Sequence, residues 1–292
     1  MTVVKKRRLK LKKKNFCIFI ICIILIIFTI TYSTNLIIKA FNKPENNIKE
    51  EKNDILVEAK KLNYYIKQNE NRYKSYLKEN PNLPISKVVI DVNIGLDHDY
   101  YTNDKLAKNL NKSYILVNKY NYLKKDYIPD NLETISKQYA LENMQLVDYA
   151  KEAFEEMAKA AKKENLSIIA MSTYRSYDYQ VTLYNSYAKT DGKDIADTYS
   201  GRPGYSEHQT GLAVDVYNGK ENYTNFENTE EFKWMQENAH KYGFILRYPK
   251  DKTKETGYQY ESWHYRYVGK NIAEYIKNNN ISYEEYYIQN IS

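Results

Sequence analysis

A mixed domain of helices and strands, exported behind a basic N-terminal segment, is what this 292-residue sequence predicts. Three observations carry that reading. Met144, Val147, Ala150, Phe154, Met157 and Ala161 recur at helical spacing as one apolar stripe. Leu166 to Met171 reads as a buried strand, and Leu212 to Val216 alternates as another with Ala213 and Asp215 on one face. The first 14 residues carry eight basic and no acidic side chains and lead into an apolar run from Phe16 to Ile30.

From the N-terminus onward, charge and hydropathy predict topology. Without the eight charges of Lys5, Lys6, Arg7, Arg8, Lys10, Lys12, Lys13 and Lys14, 36 basic residues face 37 acidic ones, a net of −1. The overall +7 therefore signals membrane orientation and implies no nucleic-acid partner. The run is shorter than the roughly 20 residues of an ideal spanning helix, and Tyr32 and the flanking lysines extend it. Residues 1–15 are expected to be a cytoplasmic tail and 16–32 a single-pass, uncleaved signal-anchor in the cell membrane. The alternative is a cleaved secretory signal, although no small-x-small site follows the run and Ile21 before Cys22 speaks against a lipoprotein. Either way residues 33–292 lie outside the cytoplasm. Cys17 and Cys22 both fall in the run, so the exported part has no disulfide and no thiolate metal site.

Residues 33–84 read as a linker and helical stalk, with Ile55, Ala59, Leu62 and Ile66 at spacings of four, three and four. A solvated spacer fits better than a coiled coil, because the pattern is short. Pro81 and Pro84 end it, and residues 85–292 form the expected domain. There Val88 to Ile94 alternates as a strand, Tyr179 to Tyr187 reads as a helix, and Asp191 to Tyr205 as a loop at the mouth of a site. Thr229 to Tyr242 is an expected helix stopped by Gly243. Aromatic-rich Tyr258 to Val268 reads as a strand.

Chemistry concentrates in two short stretches holding His208, Asp215, Glu261 and His264. Two imidazoles and a carboxylate can hold Zn²⁺ and leave a position open for water. A second carboxylate, here Glu261, can move protons. Arg175, after a buried strand, can add positive charge where an oxyanion develops. Glu261 and His264 are three apart, which puts them on one side of a helix but on opposite faces of a regular strand. A bulge or a strand end would bring both to one metal, and the sequence leaves that open. His98 and His240 are read as structural or exposed.

The patterns S-x-H-x-x-G-x-A-x-D, from Ser206 to Asp215, and E-x-W-H, from Glu261 to His264, resemble the VanY-type D-alanyl-D-alanine carboxypeptidases, a family that includes LD-carboxypeptidases. The resemblance extends over Leu116 to Lys119, Asp126 to Pro129, Ser172 to Tyr177 with Gln180, Gly201 to Gly204, Trp234, and Tyr242 to Pro249. It implies a small α+β domain with a central antiparallel sheet flanked by helices, similar to the hedgehog signalling domain. It also implies one zinc ion on His208, Asp215 and His264, with Glu261 as base and Arg175 as oxyanion or substrate clamp. Gln180, Ser206, Tyr248 and Trp263 fall where that family lines its substrate pocket.

The function so implied is trimming of the C-terminal D-Ala from peptidoglycan stem peptides by a membrane-anchored zinc carboxypeptidase. Two alternatives remain: an LD-carboxypeptidase acting on tetrapeptides, and a non-catalytic wall-binding module with structural zinc. A coiled-coil interaction protein would rest on the stalk alone. Oligomeric state is not legible.

Overall fold

Residues 56–292 are described in the computed structural model. The basic tail, the apolar run 16–32 and both cysteines lie outside the described residues. Among the described residues no helix is long and apolar enough to cross a membrane.

The compact unit runs from Ala59 to Ser292, so it begins well before the expected boundary at residue 85. Residues 56–60 are helical, as expected of the stalk, but turns over residues 61–64 end that helix before Ile66, with the Leu62 amide donating to Ala59 O and the Tyr65 amide to Leu62 O. Helices α1 (Glu70–Glu79) and α2 (Ile85–Ile94) then pack on each other, burying Tyr73 and Tyr76 against Val88, Val89 and Val92. The strand expected at Val88–Ile94 is thus a helix. Its other side buries Ile90 and Ile94 in a second cluster with Tyr283 and Ile288. A helix buried on two sides carries apolar residues nearly all round, and with Asp91 and Asn93 set between Ile90, Val92 and Ile94 the sequence alternates as a strand would. Pro84 caps its start, Gly95 ends it at φ 113°, and Lys87 pairs with Asp91 one turn on, at 3.0 Å.

Two short strands, β1 (Lys105–Leu106) and β2 (Asn121–Tyr122), pair in parallel, while β3 (Leu132–Thr134) and β4 (Gln145–Val147) pair antiparallel. Met144 and Val147 therefore precede the helix their spacing suggested. That helix, α3 (Asp148–Lys163), buries Ala150, Phe154, Met157 and Ala161, as the rest of the stripe predicts.

The central sheet contains β5 (Ile169–Ser172), β6 (Ala213–Tyr217), β7 (Phe244–Leu246) and β8 (His264–Tyr267) in the antiparallel order β5–β6–β8–β7. Opposite each other stand Val214 and Tyr265, and Asp215 and His264. Alternation then gives the sheet two unlike faces. Val214, Val216, Phe244 and Tyr265 point into the main core with Phe154 and Met157. Asp215, His264, Arg266 and Arg247 occupy the other, polar face. Only His264–Tyr267 of the aromatic run forms a strand; Tyr258 to Trp263 is irregular.

Around the sheet lie α4 (Tyr177–Asp191), started by the Ser176 side chain, and α5 (Lys193–Tyr199). The segment expected to be a loop thus contains a helix, which begins immediately after Gly192. Helix α6 (Glu230–Asn238) continues as a 3₁₀ turn to Tyr242 and stops at Gly243, φ 87°. A Cβ at Gly243 would stand 2.8 Å from the Tyr267 ring. The single turn α7 (Thr253–Thr256), α8 (Lys270–Asn279) and α9 (Tyr283–Asn290) complete the unit, with α9 opened by a Ser282–Glu285 capping box.

Candidate metal centre

Three elements deliver the predicted residues to one place. A 3₁₀ turn over Glu207–Thr210 carries His208 and ends at Gly211, φ 67°. A Cβ there would stand 2.9 Å from the Leu132 side chain. The next strand, β6, places Asp215 beside His264 of β8. Ligand atoms of His208, Asp215 and His264 all lie within 4.8 Å of one another, and all three residues are buried.

Backbone and side-chain partners fix how these rings face. His208 Nδ1 lies 2.7 Å from Thr173 O, a pure acceptor, so Nδ1 carries the proton and Nε2 presents its lone pair. Nε2 points to Asp215 Oδ2, 3.3 Å away. His264 approaches from the other side, with Nδ1 2.9 Å from Asp215 Oδ1. Glu261 Oε2 lies 3.8 Å from the same Nδ1. The spacing problem resolves as a strand end: Glu261 precedes β8, and a turn at Ser262–Trp263 brings its side chain round. The Glu261 amide donates to Tyr248 O, which holds this approach.

A bulge in β5 between Ala170 and Ser172 sets Ser172 opposite Asp215. Ser172 Oγ then accepts from Arg175 Nε at 3.0 Å. Arg175 Nη2 reaches both Asp215 Oδ2 and His208 Nε2, each at 2.8 Å. The centre opens into a cavity of about 420 Å³. Ser206, Tyr248 and Trp263 line it, together with Tyr187, Tyr199 and Tyr223. Gln180 is placed differently: it is buried behind Arg175, accepting from its Nη1 at 3.2 Å and donating to Gly201 O. It holds the arginine rather than lining the cavity.

Burial and mutual charge displace the titrations of the whole group. Burial, outweighed by the neighbouring histidines, leaves the Asp215 carboxyl well below its ordinary range. Burial, with Arg175 beside it, pushes His208 down to about 4, so the ring is neutral near pH 7. Burial opposes charge on His264, but Asp215 and Glu207 prevail and raise it to about 9. Burial, reinforced by Asp215, raises Glu261 to about 8. Two imidazoles and two carboxylates thus converge in a water-poor place with the Arg175 guanidinium beside them. A divalent cation suits this set: it can replace the protons between these groups, one ligand atom from each of His208, Asp215 and His264 lies within 4.8 Å of the others, and N/O donors of this kind match zinc.

One residue of the site escaped sequence reasoning. Glu207 is fully buried behind His264, its Oε2 3.5 Å from His264 Nε2. Arg247 Nε and Arg266 Nη1 both donate to its Oε1 at 2.8 Å. Glu284, on α9, binds the far side of Arg247. The signal was present as a carboxylate between Ser206 and His208, but its partners lie 40 and 59 positions away.

Known proteins resemble this chain over part of its length. The D-alanyl-D-alanine carboxypeptidase family, VanY, matches residues 143–270. The chain is 32% identical over 177 residues to the bifunctional D-Ala-D-Ala dipeptidase and carboxypeptidase VanXYC of Enterococcus gallinarum, covering 59% of this chain and 92% of that protein. It is 42% identical over 179 residues to the putative carboxypeptidase YodJ of Bacillus subtilis, covering 59% of this chain and 66% of that protein. It spans 41% and 65% of two D-alanyl-D-alanine carboxypeptidases, from Enterococcus faecium and Enterococcus faecalis. Among solved structures, the LdcB LD-carboxypeptidase superimposes with a TM-score of 0.56 at 41% identity, covering 60% of this chain and 85% of that one. VanY from a VanB-type vancomycin resistance cassette, in complex with Zn(II), gives 0.52 at 33% identity, covering 60% and 98%.

Proposed function

The chain belongs to the VanY-type D-alanyl-D-alanine carboxypeptidase family, and we propose that it is a zinc carboxypeptidase that removes the C-terminal D-Ala from peptidoglycan stem peptides. The observation that carries this reading is the convergence of His208, Asp215 and His264 within 4.8 Å, with Glu261 beside them at the cavity. The zinc in the related VanY structure supports the choice of metal.

His208, Asp215 and His264 would hold the ion. Zinc, when bound, supplies a Lewis acid and lowers the pKa of water to about 7. Glu261 accepts the proton of the attacking water and returns it to the leaving amine nitrogen as the peptide C–N bond breaks. Burial raises its proton affinity, while the charges of His264 and Arg175 oppose that and favour the carboxylate that must accept the proton. The Arg175 guanidinium, braced by Ser172 and Gln180, supplies fixed positive charge for the tetrahedral oxyanion. Tyr248 and Trp263, with Ser206, form the walls that seat the peptide terminus.

The substrate range stays open between pentapeptides and tetrapeptides: the catalytic constellation serves an L,D- and a D,D-bond alike, and the chain is 41% identical to the LdcB LD-carboxypeptidase and 45% identical to a D-alanyl-D-alanine carboxypeptidase. The reading includes anchoring through residues 16–32, with the catalytic unit outside the cell beside its substrate. Glu261→Gln tests the assignment of the base. The expected outcome is turnover reduced by roughly 10²- to 10⁴-fold with one zinc per chain still bound. Near-normal turnover would remove Glu261 from the mechanism; bound zinc with no hydrolysis of any stem peptide by the unaltered chain would turn the reading to a wall-binding module.

A further inference from the structure

Behind the metal centre lies a charged cluster that the reaction does not use directly. The side chains of Glu207, Arg247, Arg266 and Glu284 are wholly buried. Arg247 bridges the two carboxylates, donating from Nε to Glu207 and from both terminal nitrogens to Glu284. Arg266 donates to Glu207 and to the carbonyls of Ser113 and Ile115. The Tyr283 ring covers both guanidinium groups, at 5.3 and 5.4 Å. Two positive and two negative charges balance, as burial demands.

One atom of the cluster stands apart. Glu207 Oε1 is shared by the two arginines, but Oε2 has no hydrogen-bond partner and faces His264 Nε2, which has none either. Leaving two buried polar atoms unpaired is costly, so their mutual approach needs a reason. We propose that Glu207 is a positioning residue for the metal ligand His264. Its Oε2 accepts the His264 Nε2 proton, so that Nδ1, the nitrogen beside Asp215, keeps its lone pair for the ion. The arginines clamp Oε1 and so fix the direction of Oε2. Glu284 lies on α9, outside the matched residues 143–270, and holds Arg247 without touching His264. This rests on the zinc reading above.

The test separates positioning from mere stability. Zinc affinity is measured by competition with a chromophoric chelator for the unaltered chain, Glu207→Gln and Glu284→Gln, with a melting curve for each. Both variants leave Arg247 short of a carboxylate, so both lower Tm. Glu207→Gln is expected to weaken zinc binding by about 10- to 100-fold, and Glu284→Gln by less than about threefold. Equal losses in the two variants, or none in Glu207→Gln, would overturn the proposal. If Glu207→Gln fails to fold, ¹⁵N-histidine NMR of the zinc-loaded unaltered chain decides. A slowly exchanging, downfield proton on His264 Nε2 is expected; an Nε2 without such a proton would overturn it. Failure of the unaltered chain to bind zinc would instead sink the zinc reading itself.

Discussion

The polar face of the central sheet carries two charged groups built in opposite ways. At the cavity, His208, Asp215, Glu261 and His264 crowd like-natured donors together, and their titrations are pulled far from ordinary values. A few ångströms behind, Glu207, Arg247, Arg266 and Glu284 are equally buried but matched charge for charge. The first arrangement is costly on its own and suits a cation; the second balances its charges internally, leaving Glu207 Oε2 to face His264, and suits a scaffold. His264 belongs to both, since Nδ1 faces the first and Nε2 the second. Mismatched charge marks where chemistry happens, and matched charge marks what holds it in place.

The comparison breaks most visibly at Arg247. Removing it as Arg247→Met leaves Glu207 and Glu284 buried without their shared partner, and stability should fall by roughly 3–5 kcal/mol in a denaturant titration. A loss below about 1 kcal/mol would mean that the cluster is no scaffold. Glu261→Gln should behave oppositely, with turnover lost and the fold kept.

A smaller effect sharpens the contrast through pH. With zinc stripped, the Glu261 carboxyl titrates at about 8 in the folded chain against its ordinary 4.5. The folded state therefore holds this proton more tightly than the unfolded one. Its stabilising contribution is full below about 4.5 and is lost as pH rises through about 8. Between those limits the Tm of the stripped unaltered chain should fall more steeply than that of Glu261→Gln. Burial also opposes charge on Glu207, yet its arginines hold it far below its ordinary range. Its contribution is present above about 4.5 and fades only in acid, so it cannot produce the same slope. Parallel melting profiles for the two proteins between pH 5 and 8 would contradict the burial argument for Glu261.

The convergence of His208, Asp215, Glu261, His264 and Arg175 was legible because each sits in a short local pattern whose spacing and residue types already limit the chemistry. The α3 stripe was legible because one face is buried and the period shows; β5 was legible as a short apolar run, and β6 because Asp215 breaks an apolar run although both its faces are buried. What escaped has the opposite character. Helix α2 is buried on two sides, so its period vanished, and helix α5 followed Gly192 in a segment that reads as loop. The Glu207 cluster joins residues from a 3₁₀ turn, the start of an irregular segment, a strand and the C-terminal helix. No local signal announces such a contact. Gln180 was placed in the cavity by resemblance, whereas packing puts it behind Arg175.

The most direct test of the central claim is mass spectrometry of products from the zinc-loaded chain given a stem pentapeptide ending in D-Ala-D-Ala and the matching tetrapeptide ending in D-Ala. The account predicts loss of a single C-terminal alanine from one or both, abolished by a zinc chelator and restored by added zinc. Both peptides intact, with zinc confirmed in the protein, would contradict it.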